Sequence, residues 1–565
     1  MSLRKHAVRL HWENAMPLVI SRFRLAIPCI CVLACGLAFL VRRAVSESVA
    51  VSGQKDPAAL LMRTKEAMRF GRVNQSVIHY RAVAASEQNY QSDRTYPPFF
   101  SAMHVEEAWF DPQSSAERLS TQTTFPGSSP TPARVVITNA TRALALAQGH
   151  VNPLPAMSMQ SRNLNPWAVI TDWAAAGDLR FSGGEKYRDY MRYVLVRTTP
   201  SGEQRLFIDP NSGFPVKLDL EEKHYLWGQR HIEYLYTNWT LAGGVMVPGS
   251  SFRLADGETE ISRTTGEVEI VERNAAPSLT WPATPSQAAD ALPLFLQPID
   301  PTIEQVGPKT YLPSNPGYNE AVTQVGDDVF MFDSTQGEER ARKDATIIAE
   351  LFPGYKNLTL VVSDLAWPHL AGVRYWVANG ATIVAHRAAR EFLQSVVDRR
   401  WTAAPDLLEQ RRKTARLKFF AVDDRCQLAG GAISLHAIDG IGSEVALMAY
   451  FVHDRLLWAS DYIQTVDRPT SYASEVWHAA QRAGLHPERT FAEHLPLTPW
   501  AKIEELRNED ETGTSPASQS MAPSGRPVAR GNNGSSWLPL ADRNFCSMAT
   551  RFCGTGTSLS CQFFG

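Results

Sequence analysis

The sequence predicts an α+β protein with an N-terminal membrane helix, an antiparallel β domain, a layered domain of alternating strands and helices, and a disordered tail. Three observations lead to this fold class. Residues 25–41 form an uncharged apolar run. Strand-length runs separated by turn residues begin at about residue 76, and strand-like and helix-like runs alternate after about residue 315.

The composition is that of a folded chain without a large excess of positive charge. Hydrophobic residues make up 44% of the 565 residues and charged residues 20%, which is enough apolar material for a core. The 56 Lys and Arg residues face 58 Asp and Glu residues, so nothing is left over to neutralise a phosphate backbone. Residues 42–507 contain a single cysteine, Cys426, which excludes a disulfide framework there. We expect two folded domains and no nucleic-acid partner.

Residues 25–41 (LAIPCICVLACGLAFLV) are at the short end of the length that spans a bilayer. Basic residues outnumber acidic ones in residues 1–24, so the positive-inside rule keeps this N-terminal segment in the cytoplasm. We therefore expect a transmembrane anchor at residues 25–41, with the long remainder exported. A cleaved or lipidated signal peptide and a buried core helix are the alternatives for the same segment.

Residues 42–285 are predicted to form the antiparallel β-rich domain. Asp56 followed by Pro57 and an apolar helical pattern predicts one N-capped helix at its start. Runs such as IHYRAVAA, RDYMRYVLVRTT and HIEYLYTNWTL then have the length and composition of strands. Turn residues at 209–213 and 242–244 separate such runs, and a meander of consecutive strands is the simplest topology.

A stretch rich in Pro and Ala, from about 273 to 315, predicts the domain boundary, and the second domain is assigned to residues 300–507. VFMFDS, LTLVVSD and TIVAH have the pattern of strands, and ERARKDATIIAELF, HLAGVRYWVANG and RAAREFLQSVV that of helices between them. This alternation predicts helices that cover a sheet. Residues 508–565 are dominated by Ser, Gly, Pro, Asn and Thr and predict a disordered tail.

The candidate functional residues lie where the strand LTLVVSD ends. The chain has no GxxxxGK[ST] phosphate loop, GxSxG elbow or HExxH helix, and no GxGxxG follows a strand. The segment VVSDLAWPHLAG, residues 361–372, instead places polar groups at the carboxyl end of a strand, where open α/β sheets bind ligands.

Residues 305–505 resemble the metallo-β-lactamase-fold hydrolases. The family pattern THxHxDHxxG falls on residues 363–372, with Asp364 at the first His, His369 at the last His and Gly372 at the Gly. LLWASD is similar to the family strand that ends in the bridging Asp, here Asp461, and AEHLPLTPW to the last metal-binding loop, here with His494. The resemblance implies an αββα sandwich.

The same resemblance implies a metal site with His369, Asp461 and His494 as ligands and Asp364 as a fourth ligand or general base. Three family ligands are missing. Ala366 and Gly442 stand where the family has two of its histidines, and Pro368 stands where it has an aspartate. The first metal site of the family has lost its three histidines. The surviving set implies a single ion, with zinc expected and iron or manganese also accepted by these ligands.

Other aromatic and histidine residues near the motif have open interpretations. His386 follows a strand and is expected to be structural, and His436 is a candidate replacement for the ligand missing at Gly442. Trp367 and Trp500 either line an apolar pocket or pack in the core.

The resemblance implies a bacterial-type protein. Together with the anchor expected at residues 25–41, this predicts an envelope protein of the inner membrane, single-pass, with the bulk of the chain in the periplasm. The leading function is a membrane-anchored, metal-dependent hydrolase with a small-molecule or lipid-like ligand. A catalytically inactive pseudoenzyme that binds a ligand or partner is the first alternative. The second is an envelope lipid carrier, because residues 206–248 loosely resemble the half-barrel of envelope proteins that hold lipid or lipoprotein acyl chains. A deep apolar cavity in residues 76–272 would favour the carrier.

Overall fold

The computed structural model describes residues 56–512, except 70, 72, 74, 88–93, 95–98, 129, 142, 148–149, 155–159, 200–201, 280–298, 316, 441 and 467–470. The predicted membrane segment 25–41 lies outside the described residues, as does most of the predicted tail 508–565. The last helix extends to Thr512, so residues 508–512 of that tail are helical. Within the described ranges, no helix combines the length and the apolar character needed to cross a membrane.

Thirteen strands, β1 to β13, form one antiparallel sheet. The strands are β1 Ser76–Ser86, β2 Ala102–Asp111, β3 Ala116–Thr124, β4 Arg134–Thr138, β5 Ala143–Ala147, β6 His150–Leu154, β7 Arg180–Tyr187, β8 Tyr190–Thr199, β9 Gly202–Ile208, β10 Pro215–His224, β11 Gly228–Ala242, β12 Val245–Ala255 and β13 Glu258–Glu272. The strands β1 to β6 and β7 to β13 each form a meander of the predicted kind. Pairing of β1 with β13 joins the two meanders.

Three helices pack on one face of this sheet. They are α1 Pro57–Ala67, α2 Gln160–Asn163 and α3 Pro166–Ala174. Asp56 caps α1 by accepting a hydrogen bond from the Ala58 amide (3.0 Å), which confirms the predicted cap. Trp167 and Trp173 of α3 pack against Tyr234 and Tyr236, whose alternation along β11 places both rings on the buried face.

Residues 302–512 form two further sheets. The larger contains β14 Thr302–Gly307, β15 Thr310–Asn315, β16 Tyr318–Asn319, β17 Ala321–Val325, β18 Asp328–Phe332, β19 Asn357–Val361, β20 Thr382–His386 and β21 Lys418–Val422. The smaller contains β22 Arg425–Leu428, β23 Ile433–Ala437, β24 Leu447–Phe451, β25 Leu456–Trp458, β26 Arg489–Phe491 and β27 Thr498–Pro499. Strands β14 and β15 lie in the stretch where the Pro-rich sequence predicted an interruption.

The helices of this half are α4 Glu338–Leu351, α5 Val373–Ala378, α6 Arg390–Asp398, α7 Leu407–Gln410, α8 Ser471–Arg482 and α9 Trp500–Thr512. Phe332 and Trp458 belong to an apolar core between the two sheets. Helices α4 to α7 cover the outer face of the larger sheet, and α8 and α9 that of the smaller. The layers are therefore helix, sheet, sheet, helix, the order expected for this part of the chain.

Strand direction places one set of loops together. The strands β18 to β21 are mutually parallel, and β25 is parallel to β26. The residues that follow these strands consequently lie along one edge of the sandwich, and Ser363 Oγ lies 2.8 Å from Ser460 Oγ across it. This edge carries the residues predicted from the motif.

Candidate metal centre

Two imidazoles and two carboxylates meet at this edge. His369, Asp461, Glu493 and His494 each offer a ligand atom, and these atoms all lie within 4.8 Å of one another. We call these residues the metal-ligand cluster. It contains the predicted residues His369, Asp461 and His494 and adds Glu493, which sequence reasoning missed. The acid directly before His494 in AEHLPLTPW was the available signal.

His494 is held in a tautomer that suits a metal ligand. Its Nδ1–H donates to the Gly317 carbonyl at 2.5 Å, and its Nε2 lies 3.3 Å from Asp461 Oδ1. Burial, reinforced by the charge of His369, lowers its pKa to about 4, so the ring is neutral near pH 7. A histidine that donates one N–H to a carbonyl keeps the lone pair of the other nitrogen for a metal.

His369 lies on the loop between β19 and α5. Its Nδ1–H donates to Asp364 Oδ1 at 3.2 Å and also contacts Glu493 Oε2. Burial disfavours the charged ring, but Asp364 and Asp461 outweigh it and raise the pKa of His369 to about 9. His369 Nε2 is buried and has no hydrogen-bond partner among the described residues.

Asp364 supports His369 rather than joining the cluster. The sequence predicted a helix over HLAGVRYWVANG, beginning at His369, but α5 begins only at Val373 and the loop before it is irregular. Asp364 accepts hydrogen bonds from the Ala366 amide (2.7 Å) and from Ser460 Oγ (2.9 Å). Burial opposes its charge, but His369 and these donors hold the pKa of Asp364 below its ordinary value.

A further acid, Asp333, follows β18 and was not predicted. It accepts hydrogen bonds from the Ser363 amide (2.6 Å), from Ser363 Oγ and from Trp458 Nε1 (3.2 Å). Asp333 and Ser460 adopt φ angles of 60° and 54°, in the left-handed region that residues other than glycine seldom enter. Strained backbone of this kind concentrates at functional sites.

The acids of this region carry more negative charge than their surroundings stabilise. Burial, with the neighbouring acids, raises the pKa of Asp461 and of Asp333 to about 7. Burial and the carboxylates of Asp364, Asp333 and Asp461 raise the pKa of Glu493 well above its ordinary value. A bound cation would offset these shifts, because its positive charge favours the ionised form of each carboxylate.

The position of Gly442 has no room for a ligating side chain. A Cβ at Gly442 would lie 2.9 Å from Tyr472 Cε1 and 3.1 Å from the Tyr462 hydroxyl, so these rings occupy the space of a side chain. His436 Nε2 lies 3.0 Å from Ser434 Oγ and does not join the metal-ligand cluster.

Trp367 and Trp500 are both buried in apolar cores, which favours the packing interpretation.

A cavity of about 580 Å³ lies farther along the same edge of the sandwich. His386 ends β20 and Asp424 follows β21, the next strands of the parallel array. The lining also includes His436, Glu444 and Arg482. A polar ligand would find hydrogen-bonding partners here.

The β domain contains a second cavity of about 520 Å³. Its lining mixes Leu119, Val136 and Phe125 with His104 and Glu106. His104 Nε2 lies 2.7 Å from Ser86 Oγ, and Glu106 pairs with Arg263 at 2.9 Å. This mixed lining differs from the deep apolar cavity that would favour the lipid carrier.

Comparison with known proteins finds neither a protein-family profile nor a curated protein that matches the chain. Among solved structures, this chain is similar to DIM-1 metallo-β-lactamase, with 14% identity, a TM-score of 0.31 and coverage of 38% of this chain and 99% of that one. The metallo-β-lactamase of Pontibacter korlensis matches with 10% identity, a TM-score of 0.28 and coverage of 37% and 98%. A LolA superfamily protein of Nitrosomonas europaea matches with 12% identity, a TM-score of 0.27 and coverage of 37% and 91%. With similarities this low, function has to be argued from the residues of this chain.

Proposed function

We propose that the metal-ligand cluster holds one divalent metal ion and that this centre hydrolyses a small polar substrate. The observation that carries the metal site is the convergence of four ligand atoms within 4.8 Å. The reaction class comes from the resemblance of residues 305–505 to metallo-β-lactamase-fold hydrolases. Glu493 takes over the carboxylate that Pro368 cannot supply.

The residues fit a divalent ion chemically. Imidazole and carboxylate are ligands of zinc, which we expect, and also of iron(II) and manganese(II). Buried carboxylates without a compensating cation are costly, and buried polar atoms without a partner are rare. His369 Nε2 is such an atom within the described part of the chain.

A bound metal ion supplies Lewis acidity towards a carbonyl or phosphoryl oxygen and makes water more acidic. Asp364 orients His369 by accepting its Nδ1–H, and Ser460 holds Asp364 in turn. The Gly317 carbonyl fixes the tautomer of His494.

A pseudoenzyme is the second candidate, and the burial of the centre favours it. Glu493 is 0% exposed, His369 1% and Asp461 4%. His494, with 26% of its side chain exposed, is the most accessible residue of the cluster. In this alternative the metal ion stabilises the sandwich without turning over a substrate.

The anchor at residues 25–41 and a periplasmic location for the remainder complete the proposal as expectations from sequence. The lipid carrier is less favoured, because Glu106 and His104 line the cavity of the β domain.

The decisive experiment is metal analysis of the full-length protein by mass spectrometry. We expect about one metal ion per chain, lost in His369→Ala and in His494→Ala. His231→Ala is the matched control, since His231 belongs to a second cluster of His and acids within the described residues and should not change the metal content. Folded wild-type protein without metal would overturn the proposal.

Turnover then separates the two candidates. Ester, amide and phosphoester substrates are tested before and after chelation of the metal ion. Hydrolysis that is lost on chelation and restored by metal supports the hydrolase. One bound metal ion without hydrolysis of any of these substrates supports the pseudoenzyme.

A further inference from the structure

The turn between β10 and β11, residues 224–228, leaves the β domain and enters the α/β half of the chain. Leu226 is 0% exposed and belongs to the apolar core beneath α4 to α7. His224 shapes the turn, because its Nδ1 accepts from the Leu226 amide (3.1 Å) and the Trp227 amide (3.3 Å). A side chain of the first domain thus completes the core of the second.

The turn is held in this position by two independent contacts. Arg399 donates to the Trp227 carbonyl at 3.0 Å and to the Gln229 carbonyl at 2.6 Å. At Gly228, φ is +68° and a Cβ would lie 2.7 Å from the ring of Trp401, so glycine permits both the turn and the close approach.

The turn also contacts the loop that carries His369. Trp367 lies on this loop between Asp364 and His369. Its ring packs edge-on against His224 at 5.3 Å and Trp227 at 5.7 Å, measured between ring centroids. The guanidinium of Arg230 lies 5.6 Å from the centre of the same ring. The β domain therefore closes the outer side of the Trp367 ring.

The inner side of the same loop is fixed by the sandwich. The Gln336 amide donates to the Pro368 carbonyl (3.0 Å) and the Ser334 amide to the His369 carbonyl (2.8 Å). We propose that the β10–β11 turn is a positioning element for the metal centre, which holds His369 against the other ligands through Trp367. The proposal uses the metal centre proposed above for one of its two readouts.

The test uses the full-length chain with Leu226→Ala, Trp367→Ala and Trp367→Phe. Leu393→Ala is the matched control, because Leu393 is also 0% exposed in the same core but comes from α6. We expect metal affinity, measured by competition with a chelator, to fall about 10- to 100-fold in Leu226→Ala and Trp367→Ala, as for other groups that orient a ligand. Trp367→Phe should restore most of this affinity, and Leu393→Ala should leave it unchanged.

Hydrogen exchange of the backbone amides at residues 364–369 is the second readout and needs no metal. We expect faster exchange there in Leu226→Ala than in Leu393→Ala. Equal exchange in these two variants would overturn the positioning role, whether or not the wild type binds metal. Metal-free wild type with the expected exchange difference would overturn the metal centre and leave the positioning of the loop supported. Equal loss of metal affinity in Leu226→Ala and Leu393→Ala would show a general packing effect and overturn the proposal.

Discussion

Two clusters of His and acids occur in the described part of the chain; the metal-ligand cluster is largely buried, whereas in the other only Asp219 is buried and His231 is exposed, and they are compensated differently. In the β domain, Asp219, His231 and Glu233 offer ligand atoms within 4.8 Å of one another. Lys217 Nζ lies 2.8 Å from Asp219 and 3.0 Å from Glu233, and we call this group the lysine cluster. In the metal-ligand cluster, Glu493 instead faces an imidazole, that of His369.

The difference teaches how a structural charge cluster can be told from a ligand site. The ammonium of Lys217 already provides the cation that Asp219 and Glu233 require. At the metal centre, burial and the neighbouring acids raise the pKa of Asp461 and of Glu493. In the lysine cluster, burial also raises the pKa of Asp219, but Lys217 opposes this shift. The types of ligand are alike, and the compensating cation differs: a lysine ammonium in the lysine cluster and, at neutral pH, the protonated ring of His369 in the metal-free metal-ligand cluster.

The largest expected effect is on metal binding when a ligand carboxylate is removed. Glu493→Gln keeps the shape of the side chain and removes its charge. We expect its metal affinity to fall by more than roughly 10- to 100-fold, the loss that is typical when a group that orients a ligand without binding the metal is removed. Glu233→Gln in the lysine cluster is the control and should bind metal as the wild type does. Equal affinities for the two variants, measured by calorimetry, would remove the distinction between the clusters.

Removal of the Lys217 ammonium tests whether the acids of the lysine cluster depend on this cation for stability. Lys217→Met leaves the buried Asp219 and the partly exposed Glu233 without their partner, and we expect it to lower the free energy of unfolding by about 3–5 kcal/mol. Lys223→Met, at an exposed position of β10, should change it by less than about 0.5 kcal/mol. Urea unfolding measures both variants, and similar values for the two would show that the ion pair contributes little.

Replacement of Asp364 tests whether this carboxylate, which accepts a hydrogen bond from His369, supports His369 as a metal ligand. Asp364→Asn should weaken metal binding by about 10- to 100-fold. In the metal-free protein it should also lower the pKa of His369 from about 9, because the charge of Asp364 raises it. Titration of His369 by NMR tests this. Asp406→Asn, which changes a buried acid paired with Arg374, should leave both quantities as they are. An unchanged pKa in Asp364→Asn would contradict the assignment.

The smallest expected effect is the dependence of metal affinity on pH. A ligand must lose its proton to bind metal, and the raised pKa values of Asp461 (about 7) and His369 (about 9) mean that the metal-free centre still holds protons at neutral pH. Affinity should therefore increase as pH rises through this interval, by up to about tenfold per pH unit for each proton released. Calorimetry in buffers of different ionisation enthalpy counts the protons, and binding without proton release would contradict the assignment.

Local sequence patterns predicted much of the fold. Asp56 and Pro57 marked the start of α1, and the alternation of apolar residues marked the strands, because both signals act over a few residues. The pairing of β1 with β13 was not predicted, since no local pattern records which distant strands meet. The start of α5 was missed for a related reason. Contacts of the loop with Ser334 and Gln336 replace the helical turn that the sequence predicted there.

Some residues of the candidate site could likewise be predicted from local sequence, and others could not. His369, Asp461 and His494 were found because they lie in segments that resemble a known family. Glu493 and Asp333 were missed because a single acid beside a strand end has no recognisable spacing. Their proximity depends on the parallel direction of β18 and β19 and on the contact between the two sheets.

The sequence by itself determined the strand and helix periods, the apolar stripes and the supply of imidazoles and carboxylates. The tertiary structure decided which acids share a cation: Lys217 lies beside Asp219 and Glu233, whereas Glu493 and Asp461 lie beside imidazoles. It also decided that Leu226 of the β domain completes the core next to Trp367. The physical reason is that charge interaction and burial depend on distances between groups far apart in the chain, and packing sets those distances.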